Sequence, residues 1–111
     1  MTGEERQRIA LQFQEAVNLE PVELEAWLET DESKAVGFKR GGRGESVGHA
    51  SGRRIVRLLH TPSEDLTADD YRHMGKVVGY VHRHLAQRPR GDVTATRWRY
   101  SLLNWGHDPL R

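Results

Sequence analysis

The chain contains no cysteine, so neither a disulfide framework nor a thiolate metal site is open to it. No apolar run approaches the roughly 20 residues needed to cross a bilayer. The opening residues MTGEERQR lack the apolar stretch of a secretory signal. A cytoplasmic protein is therefore expected. Other patterns are missing too: no internal repeat, no credible strand, no HExxH pair of histidines, no nucleophile elbow around any serine, and no paired carboxylates. Zinc chemistry is not expected, no cofactor is implied, and the chain does not read as an enzyme. What remains is a polar, globular composition, 36% hydrophobic and 30% charged, with three tryptophans and three tyrosines that loose linkers rarely carry. At 111 residues it is large enough for one modest core.

The stretch with the clearest period is Leu66 to Arg88. Tyr71, Met74, Val78, Val81 and Leu85 recur at spacings of three and four, which puts them on one stripe of a helix. Arg72, Lys76 and Arg83 fall on the opposite side with Gly79 between them, a row of cations with a gap where a backbone could come close. Thr67 followed by Asp70 is a capping signal, and Pro89 stops the helix.

Around this helix the rest reads as all-α, four to five helices in one domain. Thr2 and Glu5 form a capping box for a first helix reaching about Asn18, with Ile9, Phe13 and Ala16 inward and Leu11 and Val17 flanking. Pro21 opens a second helix to about Thr30 that buries Val22, Leu24 or Ala26, Trp27 and Leu28. Residues 1–35 are thus expected to form an acidic helical hairpin. Residues 36–52 read as a Gly-rich loop, with Lys39, Arg40 and Arg43 at its centre, and the aperiodic stretch reaches back to Thr30. Residues 53–111 read as a basic three-helix half. Ser51 is the expected cap of a helix from Arg53 to His60, and Thr94 or Thr96 of a last helix closed by Gly106. Trp98, Leu102 and Trp105 share its apolar face.

The net charge of +1 hides a division. Residues 1–35 hold nine acids against three bases, a balance of −6, and the remainder carries +7 and all six histidines. Such asymmetry points to a polyanion, to an acidic partner, or to pairing between the halves themselves. Arginine suits phosphate because its planar fork makes paired hydrogen bonds. The candidate nucleic-acid-binding set is Arg53, Arg54 and Arg57 on one helix, Arg72, Lys76 and Arg83 on another, and Arg97 and Arg99 on a third. Gly79 would allow close approach, and Ser51 would add a helix-terminus contact. Tyr80, flanking the basic stripe, is the better candidate for base stacking, and Trp98 and Trp105 read as core anchors. Glu45 with His49, and Asn104 with His107 and Asp108, are dense polar clusters beside glycine, expected to tie loops down.

The runs ESVGHASGRRIVRLL, LTADDYRHMGKVVGYVHRHLAQRP and TRWRYSLLNWGHDPLR, in that order, resemble a small single-domain family, domain of unknown function 3140, over roughly residues 22–111. Some members carry the label DNA-binding protein. The resemblance implies a tilt towards nucleic acid and brings no residue roles with it. The expected function is DNA or other polyanion binding through phosphate contacts, with little sequence specificity and a place on the nucleoid. The alternative is a protein-interaction module or homodimer that uses the acidic and basic halves.

Overall fold

A computed structural model describes residues 1–111. The chain is all-helical, with α1 at Gly3–Ala16, α2 at Pro21–Leu28, α3 at Asp31–Ala35, α4 at Val47–Leu59, α5 at Ala68–Leu85 and α6 at Arg97–Asn104. Two single 3-10 turns, Arg40–Gly42 and Ser63–Asp65, lie in the connections before α4 and α5.

Local chemistry explains most of the boundaries. Thr67 Oγ1 accepts from Asp70 N–H at 3.1 Å while the Asp70 carboxylate accepts from Thr67 N–H at 3.0 Å, a reciprocal box that starts α5. Thr96 caps α6 through Arg99 N–H at 3.2 Å, and Gly106 follows with φ +81°, where a side chain would be strained. Thr2 caps α1 through Glu5 N–H, but Glu5 makes no return bond, so only half of the expected box forms. At α2 the Glu20 N–H donates to Glu23 at 2.8 Å and Pro21 takes the first helical position.

The α5 stripe is buried as its spacing predicts: Tyr71, Met74, Val78 and Val81, joined by Val77, face the core. α1 lies along this helix, with Phe13 and Ala16 buried and the Arg6 guanidinium 5.0 Å from the Tyr71 ring. α2 packs instead on α4 and α6. The expected acidic hairpin is therefore not formed. Its two helices pack on different partners, α1 on α5 and α2 on α4 and α6, because the connector between them is pinned elsewhere. Asn18 and Leu19 N–H both donate to Gly106 O, and the Asn18 side chain exchanges hydrogen bonds with the Asp108 backbone. With α2 turned this way, Val22 points outward, 71% exposed, and Leu11 is exposed as well.

A second correction concerns residues 30–52, read above as loop. α3 occupies Asp31–Ala35, capped by Thr30, and α4 begins at Val47, capped by Ser46 Oγ, which accepts from His49 N–H at 3.0 Å. Gly48 and Gly52 sit one helical turn apart inside α4 and serve packing rather than turning. A Cβ at Gly52 would stand 2.6 Å from the Asn104 carbonyl oxygen, and one at Gly48 would stand 2.9 Å from Trp105 Nε1. The two glycines thus let α4 lie directly on the end of α6.

At that contact Asn104 is 1% exposed. Its Oδ1 accepts from Trp27 Nε1 at 2.8 Å and from Ser33 Oγ at 2.5 Å, and its Nδ2 donates to Ser33 O at 3.1 Å. One amide therefore satisfies donors from α2 and α3, and a buried donor left unpaired costs about 1–3 kcal/mol. Asn104→Ala orphans both. It should lower unfolding free energy by about 3 kcal/mol in urea titrations, against near-neutral effects for an exposed substitution such as Glu25→Ala.

Candidate nucleic-acid interface

α4 and α5 meet along a trough of about 420 Å³ whose walls carry Arg40, Arg43, Arg53, Arg54, Arg57 and Lys76, with Ser51, His73 and Trp105 also lining it. A narrower cavity of about 240 Å³ opens beside it and shares Val47, Lys76 and Trp105 with it. The cations expected to act together divide here into two kinds.

One kind is engaged with carboxylates. Arg53 grips Glu45 with its Nε at 2.7 Å and its Nη2 at 2.5 Å. Arg54 reaches Asp69 at 2.9 Å and Asp70 at 3.2 Å, tying α4 to the first turn of α5, and Arg72 lies 3.6 Å from Asp69. Arg99 clasps Asp108 through two bonds of 3.1 and 3.0 Å and Thr94 O at 2.9 Å, which fastens the C-terminal turn away from the trough. Such bidentate pairs fix geometry.

The other kind has no carboxylate within 4.0 Å. Arg57 and Lys76 are exposed along the trough, and Arg40 and Arg43 reach it from the segment before α4. Glycines at positive φ (Gly37, Gly41, Gly42 and Gly44) shape that segment, and Val47 N–H donates to Phe38 O at 2.8 Å to anchor it to α4. Arg83 lines the smaller cavity beside Lys76. Arg97, exposed at the start of α6, lines neither.

Ser51 and Gly79 take roles other than those expected of them. Ser51 lies in the interior of α4, 4% exposed, and offers no free helix terminus; its Oγ is 3.0 Å from His73 Nε2. Gly79 leaves room for its own neighbour: a Cβ there would stand 3.0 Å from Arg83 Nη1, so the guanidinium folds over the gap that a phosphate backbone was expected to use. Tyr80 is likewise occupied on both faces, stacked on Trp105 at 4.3 Å and on His84 at 5.1 Å. It belongs to a column of parallel rings running His73, Trp105, Tyr80, His84 and Trp98 along the α5–α6 seam.

The polar clusters tie segments down. His49 sits between the Glu45 carboxylate and Leu28 O, at 2.7 Å from the latter, and His107 Nδ1 meets Ala16 O at 2.7 Å. No group of three histidine or carboxylate side chains is placed to hold a metal ion.

Glu45 and His73, both in the trough, have strongly displaced acidities. The Arg53 guanidinium holds the Glu45 carboxyl down to about 2, against the cost of its partial burial. Burial, then the nearby Arg54 and Lys76 charges, push His73 down to about 4, so its ring is neutral near pH 7, with Nε2 hydrogen-bonded to the Ser51 hydroxyl at 3.0 Å. The ordinary His value is 6.5, so the unfolded chain takes up this proton first as pH falls. Stability contributed by neutral His73 is whole above pH 6.5 and drains away between there and about 4. That from Glu45 is present above 4.5 and drains towards about 2. Thermal melting against pH should therefore show a two-part acid limb. His73→Gln should shrink the upper part to the share of His84, whose acidity burial also pushes down, and keep the lower. Gly79→Ala should raise stability by about 0.5–1 kcal/mol in the same melts, because only the mobile end of Arg83 must yield.

No curated protein and no solved structure matches the chain. A family described as "Protein of unknown function (DUF3140)" matches residues 12–103, from the last turn of α1 through nearly all of α6. The helices that build the trough all lie within that match, and the chain belongs to this family.

Proposed function

We propose that the protein binds nucleic acid, DNA in the first instance, by laying phosphates along the trough between α4 and α5. The observation that carries this reading is the partition of charge. Arg40, Arg43, Arg57 and Lys76 gather on one groove with no carboxylate of their own, while neighbouring arginines are spent on internal clasps. Pairing between the acidic and basic parts does not account for them: among the ion pairs, only Arg111 with Glu23 joins residues 1–35 to the remainder. Four free cations on a concave surface focus a positive field, and neutralising phosphates there releases counterions. No side chain in the trough is set out as a distinctive reader of base edges, so the contacts favour backbone over sequence.

A second reading has one observation behind it. The outer faces of α1 and α2 carry acids around exposed Leu11 and Val22. Either face complements the trough in charge, so a second copy or another protein could occupy the groove instead. A dimer that dissociates with salt in light scattering would favour this reading.

Fluorescence anisotropy with a labelled duplex and a labelled single strand at about 50 and 200 mM salt tests the first reading. Binding should weaken steeply between the two, by roughly 0.9 in log–log slope for each phosphate neutralised. Replacing Arg57 and Lys76 together by Ala should flatten the slope by about two such steps, and Arg40 with Arg43 by a similar amount. Arg97→Ala should leave it unchanged. No binding at about 50 mM salt overturns the proposal.

A further inference from the structure

The smaller cavity holds a feature that the phosphate contacts leave unused. The chain has three indoles. Trp27 Nε1 donates to Asn104, and Trp98 Nε1 donates to His84 O at 2.7 Å. Trp105 is 4% exposed, yet its Nε1 has no acceptor in the protein, and no fully enclosed side-chain atom is left without a partner. Trp105 lines both cavities, but its N–H sits beside Gly48, which lines the smaller one alone, and so opens there. Gly48 keeps that opening clear, since a Cβ there would stand 2.9 Å from Nε1 and 3.5 Å from Cδ1. A buried donor normally finds an acceptor. Here the acceptor must come from outside.

The rest of the cavity narrows what that acceptor belongs to. Phe38 stands at its mouth 72% exposed, an aromatic face with no partner ring. Lys76 and Arg83 rim it, and the trough of unpaired cations continues from Lys76. At about 240 Å³ it is smaller than the roughly 300–1,000 Å³ of a site for drug-sized ligands, and suits a single ring system. The occupant needs a flat apolar face, an acceptor on its edge, and an attached anion directed along the trough.

Resting on the nucleic-acid reading above, we infer that the cavity takes an unpaired pyrimidine base of a single strand. Phe38 covers its face, Trp105 Nε1–H donates to an edge carbonyl, and the flanking phosphates run onto Lys76, Arg57, Arg40 and Arg43. A paired base offers neither a free face nor that access, so the protein prefers single strands or opened duplexes. Stacking on one aromatic side chain is tolerant of sequence, in keeping with a surface that reads backbone.

Anisotropy at about 50 mM salt with three strands of about 15 residues tests this: oligothymidylate, an abasic deoxyribose-phosphate strand of equal charge, and a duplex. Oligothymidylate should bind about ten-fold tighter than the abasic strand, and Phe38→Ala should remove most of that preference while leaving abasic binding unchanged. Phe38 is exposed, so its removal spares the fold. In nitrogen–proton spectra, oligothymidylate should shift one indole N–H of three, and the abasic strand should shift none. Oligouridylate, run alongside, separates RNA from DNA as the source of the base. Equal affinity for thymidylate and abasic strands, or no indole shift, overturns the base site and leaves the phosphate trough standing. Failure of every strand to bind overturns both.

Discussion

The arrangement depends on how closely α4 approaches the end of α6. Two glycines a turn apart allow backbone and indole of residues 104 and 105 to sit where side chains would otherwise stand. From that contact follow the burial of Asn104, the attachment of α2 and α3 through its amide, and the position of Trp105 between core and groove. A larger residue at Gly52 would collide with the Asn104 carbonyl and with Leu28, neither of which has room to retreat. The polar hub and the floor of the trough are thus two faces of one close packing.

Electrostatics are layered on this frame in two functions. Arg54 and Arg99 act as clasps: Arg54 Nη2 bridges Asp69 and Asp70 from α4, and Arg99 pairs fork-like with Asp108. Arg57, Lys76 and the two arginines before α4 have no such work. Only Arg111 with Glu23 pairs residues 1–35 with the remainder, so a near-neutral total coexists with cations along the trough that no carboxylate engages.

Much of the helical architecture was legible because its signals are local. The Thr67–Asp70 box, the period through Tyr71, Met74, Val78 and Val81, and the Thr96 cap with Gly106 each act within one or two turns. The start of α4 was not legible, since Gly48 and Gly52 look like turn-makers in isolation and their packing role exists only once Asn104 is opposite. The hairpin of α1 and α2 failed for a related reason: adjacency along the chain suggests pairing, but Asn18 and Leu19 are captured by Gly106 from the far end. Charge spacing placed Arg57, Lys76 and Arg83 around the groove and its side cavity. It could not tell them from Arg53, Arg54, Arg72 and Arg99, whose carboxylate partners, apart from that of Arg72, lie eight or more residues away.

The segment from Gly37 to Gly44 sets an uneven tolerance to mutation. Three of its glycines, Gly41, Gly42 and Gly44, have open space around them, so it is their left-handed backbone rather than crowding that other residues would resist. Exchanging an arginine here alters only the charge that the arm carries. Exchanging a glycine redirects the chain and moves Phe38, Arg40 and Arg43 as a group. Drift among homologues should therefore spare the residues that carry no side chain while letting the charged ones wander.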